Sequence, residues 1–108
     1  MKSVEIIMIP VKDQQKAKEF YLELGFKLLV EAPAEHGETW IQMGLPNSTT
    51  TISLAKFQGI IFETEDIKSE IKALVGKGIE VGKIDETQWG KFAWLKDLYG
   101  NSLCLHQK

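Results

Sequence analysis

Residues 4–11, VEIIMIPV, are almost uniformly apolar and β-branched, and the same texture returns at residues 59–64, GIIFET. Short runs of this kind read as strands buried on both faces. Each run leads to an Asp, then to apolar residues at helical spacing, then to a Gly. The first series is Asp13, then Ala17, Phe20, Tyr21 and Leu24, then Gly25; the second is Asp66, then Ile67, Ile71, Leu74 and Val75, then Gly78. Asp is suited to cap a helix start and Gly to end it in a left-handed turn. Asp66 follows Asp13 by 53 residues and Gly78 follows Gly25 by 53, close to half of the 108-residue chain. With two copies only, the repeat points to a paired module and not to a solenoid.

The remaining pattern completes both copies. In the first, strands are predicted over 26–30, 39–43 and 50–56, with a loop through Pro33 and Gly37 and turn chemistry in LPNST at 45–49. In the second, a short strand at 79–81 precedes a loop through Trp89 and Gly90, then strands at 91–96 and 102–107 flank a turn at 97–101. Each half therefore reads β-α-β-β-β, an α+β chain. Only Phe57 and Gln58 separate the copies, so 1–108 is expected to form one domain, with module one at 1–56 and module two at 57–108.

Composition narrows the partners. The chain is 44% hydrophobic and 26% charged, and 13 basic against 15 acidic residues give a net charge of -2. That balance offers no basic footprint for nucleic acid or an anionic membrane. Cys104 is the only cysteine, no apolar run reaches 18 residues, and the N-terminal segment lacks a signal-peptide pattern. A reduced, cytoplasmic setting is expected.

VKDQQKAKEFYLELGFKL, together with FETEDI, Trp89-Gly90 and FAWLKDLYGNSLCL, resembles the vicinal oxygen chelate superfamily, which includes glyoxalase I, extradiol dioxygenases, and fosfomycin- and bleomycin-resistance proteins. In the closing turn Asp97, Gly100 and Asn101 match the family's Phe-x-Asp-Pro-Asp-Gly-Asn pattern, while Leu95, Leu98 and Tyr99 depart from it. The resemblance implies two βαβββ modules forming a curled mixed-sheet cup with helices outside, and homodimers in many relatives. Family enzymes carry metal ligands on the first and fourth strands of each module, positions that fall here on Ile6, Ser53, Gly59 and Cys104. None of these is a usual ligand for a hard divalent metal, and Cys104 alone cannot hold one. Neither a metal nor another cofactor is expected.

Strand alternation then sorts the side chains. Ile6, Met8, Thr51, Ser53, Ala55, Gly59, Ile61, Glu63, Ser102, Cys104 and His106 are expected to face the cup, as are Trp40, Gln42, Phe92 and Trp94. Ile7, Ile9, Ile52, Leu54, Ile60, Phe62, Leu103 and Leu105, with Ile41, Met43, Ala93 and Leu95, are expected beneath the helices. Trp40 and Trp94 could clamp a flat ligand or fill a cavity or dimer interface. Trp89 could act as a lid or a plug.

Cys104 and His106 stand two apart on one strand, roughly 7 Å from each other, beyond the ~2.6–3.2 Å of a nucleophile–base contact. An inert buried Cys and a partly exposed His are expected there, with His36 solvated in its loop. Glu63 is the inward carboxylate, either a desolvated base or a strand-end group reaching water. Asp13, Asp66, Asp97 and Asn101 are expected to be structural. The leading expectation is a metal-independent binder of a small aromatic or antibiotic-like molecule, with ligand contacts from Trp40, Gln42, Ser53, Glu63, Phe92, Trp94 and Cys104. The alternatives are a lyase or isomerase using Glu63 or His106 as acid/base, and a metal-dependent lyase or dioxygenase with displaced ligands.

Overall fold

The computed structural model describes residues 1–34 and 37–108. Its elements are β1 (Ser3–Pro10), α1 (Gln14–Glu23), β2 (Lys27–Pro33), β3 (Thr39–Gly44), β4 (Thr51–Ala55), β5 (Gly59–Glu63), α2 (Ile67–Gly76), β6 (Asp85–Thr87), β7 (Gly90–Lys96) and β8 (Ser102–Gln107). Two compact units form, Ile6–Gln58 and Gly59–Lys108, the second joined by Met1–Glu5. The start of β1 goes with the second repeat because the Lys2 N–H donates to Glu63 O at 2.8 Å and Glu5 reaches His106.

The expected βαβββ order holds in both units. In Ile6–Gln58 the strands run β2-β3-β4-β1, with β1 parallel to β4 and the other pairs antiparallel. The second unit runs β5-β8-β7-β6, with β5 parallel to β8 and the other pairs antiparallel. Each unit is thus a mixed sheet carrying one helix, as an α+β class requires. Among the described residues no helix is long and apolar enough to cross a membrane.

The helix boundaries repeat in atomic detail. Asp13 accepts from Lys16 N and Asp66 from Ser69 N, both at 3.1 Å, so each carboxylate satisfies an orphan donor of the first turn. At the far ends Gly25 and Gly78 have φ of +106° and +85°. Phe26 N donates to Tyr21 O and Ile79 N to Leu74 O, closing the same 6→1 link.

Packing beneath the helices follows the alternation, with named exceptions. Ile41, Met43, Leu54 and Ile52 pack with Ala17 and Tyr21 of α1; Ala93, Leu105, Phe62 and Leu95 pack with Ile67, Ile71 and Leu74 of α2. Phe20 and Leu24, expected in the α1 stripe, are 59% and 56% exposed, and Val75 of α2 is exposed as well. Ile7 is 40% exposed, while α1 packs on β2, β3 and β4.

The second repeat departs from expectation at residues 79–81, which form no strand. Val81 and Ile84 turn into the α2 core instead. Gly82 N–H donates to Trp94 O of β7 at 2.8 Å, and a Cβ at Gly82 would meet that oxygen at 3.2 Å. Ladder pairing with β7 begins only at Asp85, opposite Phe92. Strand β6 consequently has three residues where β2 has seven.

Candidate functional site: a face in each unit

In Ile6–Gln58 the face away from α1 carries Trp40, Gln42, Thr51 and Ser53. Their placement follows from the pleat, since Ile41, Met43, Ile52 and Leu54 occupy the alternate, helix-covered positions. Gln42 stands opposite Ser53 in the β3/β4 register. The Trp40 indole N–H donates to Gln42 Oε1 at 3.0 Å, and Gln42 Nε2 donates to Thr51 Oγ1 at 2.9 Å. Trp40 and Gln42 are half-buried, so the relay fixes an aromatic ring beside an amide at a surface that still meets solvent. Ser53 Oγ is fully buried without a hydrogen-bond partner, which is uncommon for a hydroxyl.

The second unit presents a different face. Phe92, Trp94, Cys104 and His106 share it, with Phe92 opposite His106 and Trp94 opposite Cys104. The Phe92 and His106 rings stack with centroids 4.2 Å apart and planes 3° from parallel. His106 Nδ1 lies 2.7 Å from Glu5 Oε1, and Nε2 lies 2.7 Å from Trp89 O. His106 is therefore buried, contrary to the expected partial exposure, because β1, the Phe92 ring and the chain at Trp89 enclose it.

Neither expected acid/base candidate stands free. Both His106 nitrogens are engaged away from Cys104, whose thiol donates to Leu105 O at 3.4 Å. Burial pushes the Cys104 thiol from an ordinary value of 9.0 up to about 12, reinforced by the charges of Glu5 and Asp85 and opposed by a hydrogen bond from Ala93 N–H. A thiol so shifted is a poor nucleophile. Glu63 sits between two ammonium groups, 3.6 Å from Lys2 Nζ and 3.7 Å from Lys108 Nζ. The expected structural roles hold: Asp97 accepts from Tyr99 N, Asn101 N and Asn101 Nδ2, and these bonds, led by the Asn101 side chain, hold its carboxyl below the usual carboxylate range. His36, with Glu35, lies outside the described residues.

The metal positions implied by the resemblance can be tested on donor chemistry. Ile6 has no donor and Ser53 offers only a hydroxyl; Gly59 has no side chain and Cys104 holds its proton firmly. Hard divalent cations need several converging carboxylate, carbonyl or imidazole donors. These residues do not fit such an ion. Among the described residues no three His, Cys, Asp or Glu side chains gather as a metal set.

Paired βαβββ units of this order and register define a glyoxalase-type α+β protein. The model of the Glyoxalase/Bleomycin resistance protein/Dioxygenase superfamily matches residues 3–105, and the chain belongs to that superfamily. It is 29% identical over 119 residues to the uncharacterised protein YetH of Bacillus subtilis (strain 168), with 99% of each chain covered. TnmS3, an antibiotic binding protein from Streptomyces sp. CB03234, is 32% identical, with 99% of this chain and 96% of that one covered and a TM-score of 0.48. Methylmalonyl-CoA epimerase from Mycobacterium tuberculosis shares the fold, with a TM-score of 0.83 at 16% identity over 97% of this chain and 87% of that one.

The Glu5 partner of His106 was not legible in the sequence. Alternation places Glu5 on the same side as Ile7, away from His106, and the two are 101 residues apart. No local signal announces such a contact. For Trp40 and Gln42 a signal did exist, in their i, i+2 spacing on a predicted strand.

Proposed function

We propose that this chain binds a small, flat or amphipathic aromatic molecule and leaves it chemically unchanged. The observation that carries the reading is the Trp40–Gln42–Thr51 relay. A ring held by its own N–H loses little freedom on stacking, and the neighbouring Gln42 amide supplies polar selection. In the second unit Phe92 and Trp94 are the aromatic contacts in this proposal, with Cys104 and Glu63 beside them as non-reacting groups. The acid/base alternative draws no support from His106 or Glu63, both already occupied by charged or carbonyl partners.

Tryptophan fluorescence titrations with bleomycin and with anthraquinone-2-sulfonate test this. Saturable quenching is expected with at least one probe, and Trp40→Ala should weaken that affinity about tenfold, the loss of roughly one stacking partner. Equal affinity in Trp40→Ala and the parent, or no saturable binding of either probe, contradicts the proposal.

A further inference from the structure

His106 is held at both ring nitrogens by oxygen atoms that accept. Its side chain is 6% exposed, with Glu5 Oε1 at 2.7 Å from Nδ1 and Trp89 O at 2.7 Å from Nε2. A backbone carbonyl can only accept, and an ionised carboxylate likewise. A neutral imidazole carries one N–H, so it would satisfy one oxygen and set a lone pair against the other. An imidazolium satisfies both.

We infer that His106 is an imidazolium in this conformation and that its Nε2–H latches the tip of the β6–β7 hairpin, through the Trp89 carbonyl, onto β8. Loss of the proton releases the tip. The retained proton stays on Nδ1, because the carboxylate is the stronger acceptor, and Nε2 then faces Trp89 O with a lone pair.

The surroundings agree with one charged ring paired to one carboxylate. Glu5 faces it from β1. Glu63, opposite His106 on β5, is engaged by Lys2 and Lys108; Lys91 of β7 is paired with Glu86 of β6 at 3.7 Å, and Asp85 of β6 stands opposite Phe92. Within the tip, Trp89 N–H donates to Thr87 Oγ1 at 3.0 Å and Thr87 Oγ1 donates to Gly90 O at 3.1 Å, so the tip is tied within itself. Gly90, at φ +118°, lies directly against the end of β8, where an added Cβ would come within 2.2 Å of Gln107 O. Trp89 itself is 49% exposed and can report the movement.

The latch does not depend on whether either face binds a ligand. Long-range proton–nitrogen NMR on the intact protein with 15N-labelled histidine, recorded across pH beside the Trp89 and Gly90 amide shifts, tests it. The expected result is two protonated ring nitrogens while the tip is closed, with ring deprotonation and amide movement sharing one midpoint. His106→Gln should make the tip amides insensitive to pH in the same range. A neutral ring at a pH where the tip keeps its closed shifts, or two separate midpoints in the parent protein, overturns the inference. The parent titration decides the matter even if a variant fails to fold.

Discussion

Residue 14 begins α1 and residue 67, 53 positions later, begins α2, yet the two are fastened by opposite means. Gln14 is polar and uses its side chain, Nε2 donating to Leu54 O at 2.7 Å and to Thr39 O at 2.8 Å. Ile67 is fully buried in the α2 core, and it is its backbone N–H that donates, to Gln107 Oε1 at 2.8 Å. Position 107 is again 53 beyond position 54. The same joint between helix start and last strand is kept in both repeats, while the side chain that makes it has changed ends. What the duplication preserves is the geometry of the joint, and the chemistry at each position has been free to diverge. The non-helical faces show the same divergence: a neutral Trp40–Gln42–Thr51 relay in one unit, a Glu5–His106 pair stacked on Phe92 in the other.

Substitutions at equivalent positions can break or sharpen this contrast. The largest difference is expected for the glycines 37 and 90, also 53 apart. Gly37 has φ +73° with nothing within 4 Å of an added Cβ, whereas Gly90 combines a positive φ with a backbone oxygen at 2.2 Å. Gly90→Ala should cost on the order of 4 kcal/mol in urea unfolding, and Gly37→Ala about 1–2 kcal/mol, the left-handed penalty alone. Equal losses would mean that the hairpin yields freely and that the close approach is unimportant.

Next comes the joint itself. Gln14→Ala should cost about 2 kcal/mol through two lost hydrogen bonds, and Gln107→Ala about 1 kcal/mol through the one made to Ile67 N–H. No loss from Gln107→Ala, or one larger than that from Gln14→Ala, would contradict this account of the two fastenings. At neutral pH the smallest effect belongs to Cys104. The unfolded thiol ionises near 9 and the folded one only near 12, so stability should be flat below about pH 8 and decline as pH rises from there, because the unfolded chain releases its proton first. Iodoacetamide labelling should run roughly 10³-fold slower than for a free thiol, tenfold for each unit of that shift. Fast labelling of the folded chain at pH 8 would contradict this burial.

The parts of the fold that could be read from the sequence are those governed by neighbours along the chain. Asp13 and Asp66 cap, Gly25 and Gly78 stop, and alternation on β3, β4, β7 and β8 sorts core from face, all through interactions spanning a few residues. What escaped depended on distant partners. Residues 79–81 have the composition of a strand, but Gly82 crosses close to Trp94 O and sends Val81 and Ile84 into the α2 core. Phe20 and Leu24 have helical spacing, yet nothing in spacing says how wide a stripe the sheet below will cover. Glu5 reaches His106 across 101 residues and against its expected side.

The central claim is that the superfamily scaffold is kept here for binding and not for turnover. Native mass spectrometry of the intact protein with anthraquinone-2-sulfonate or bleomycin, followed by release and mass analysis of the small molecule, tests it most directly. A one-to-one complex that weakens in Trp40→Ala, with the released molecule at its starting mass, is the expected result; a released product of altered mass, formed by the parent and lost in a Glu63→Ala or His106→Gln variant, would contradict it.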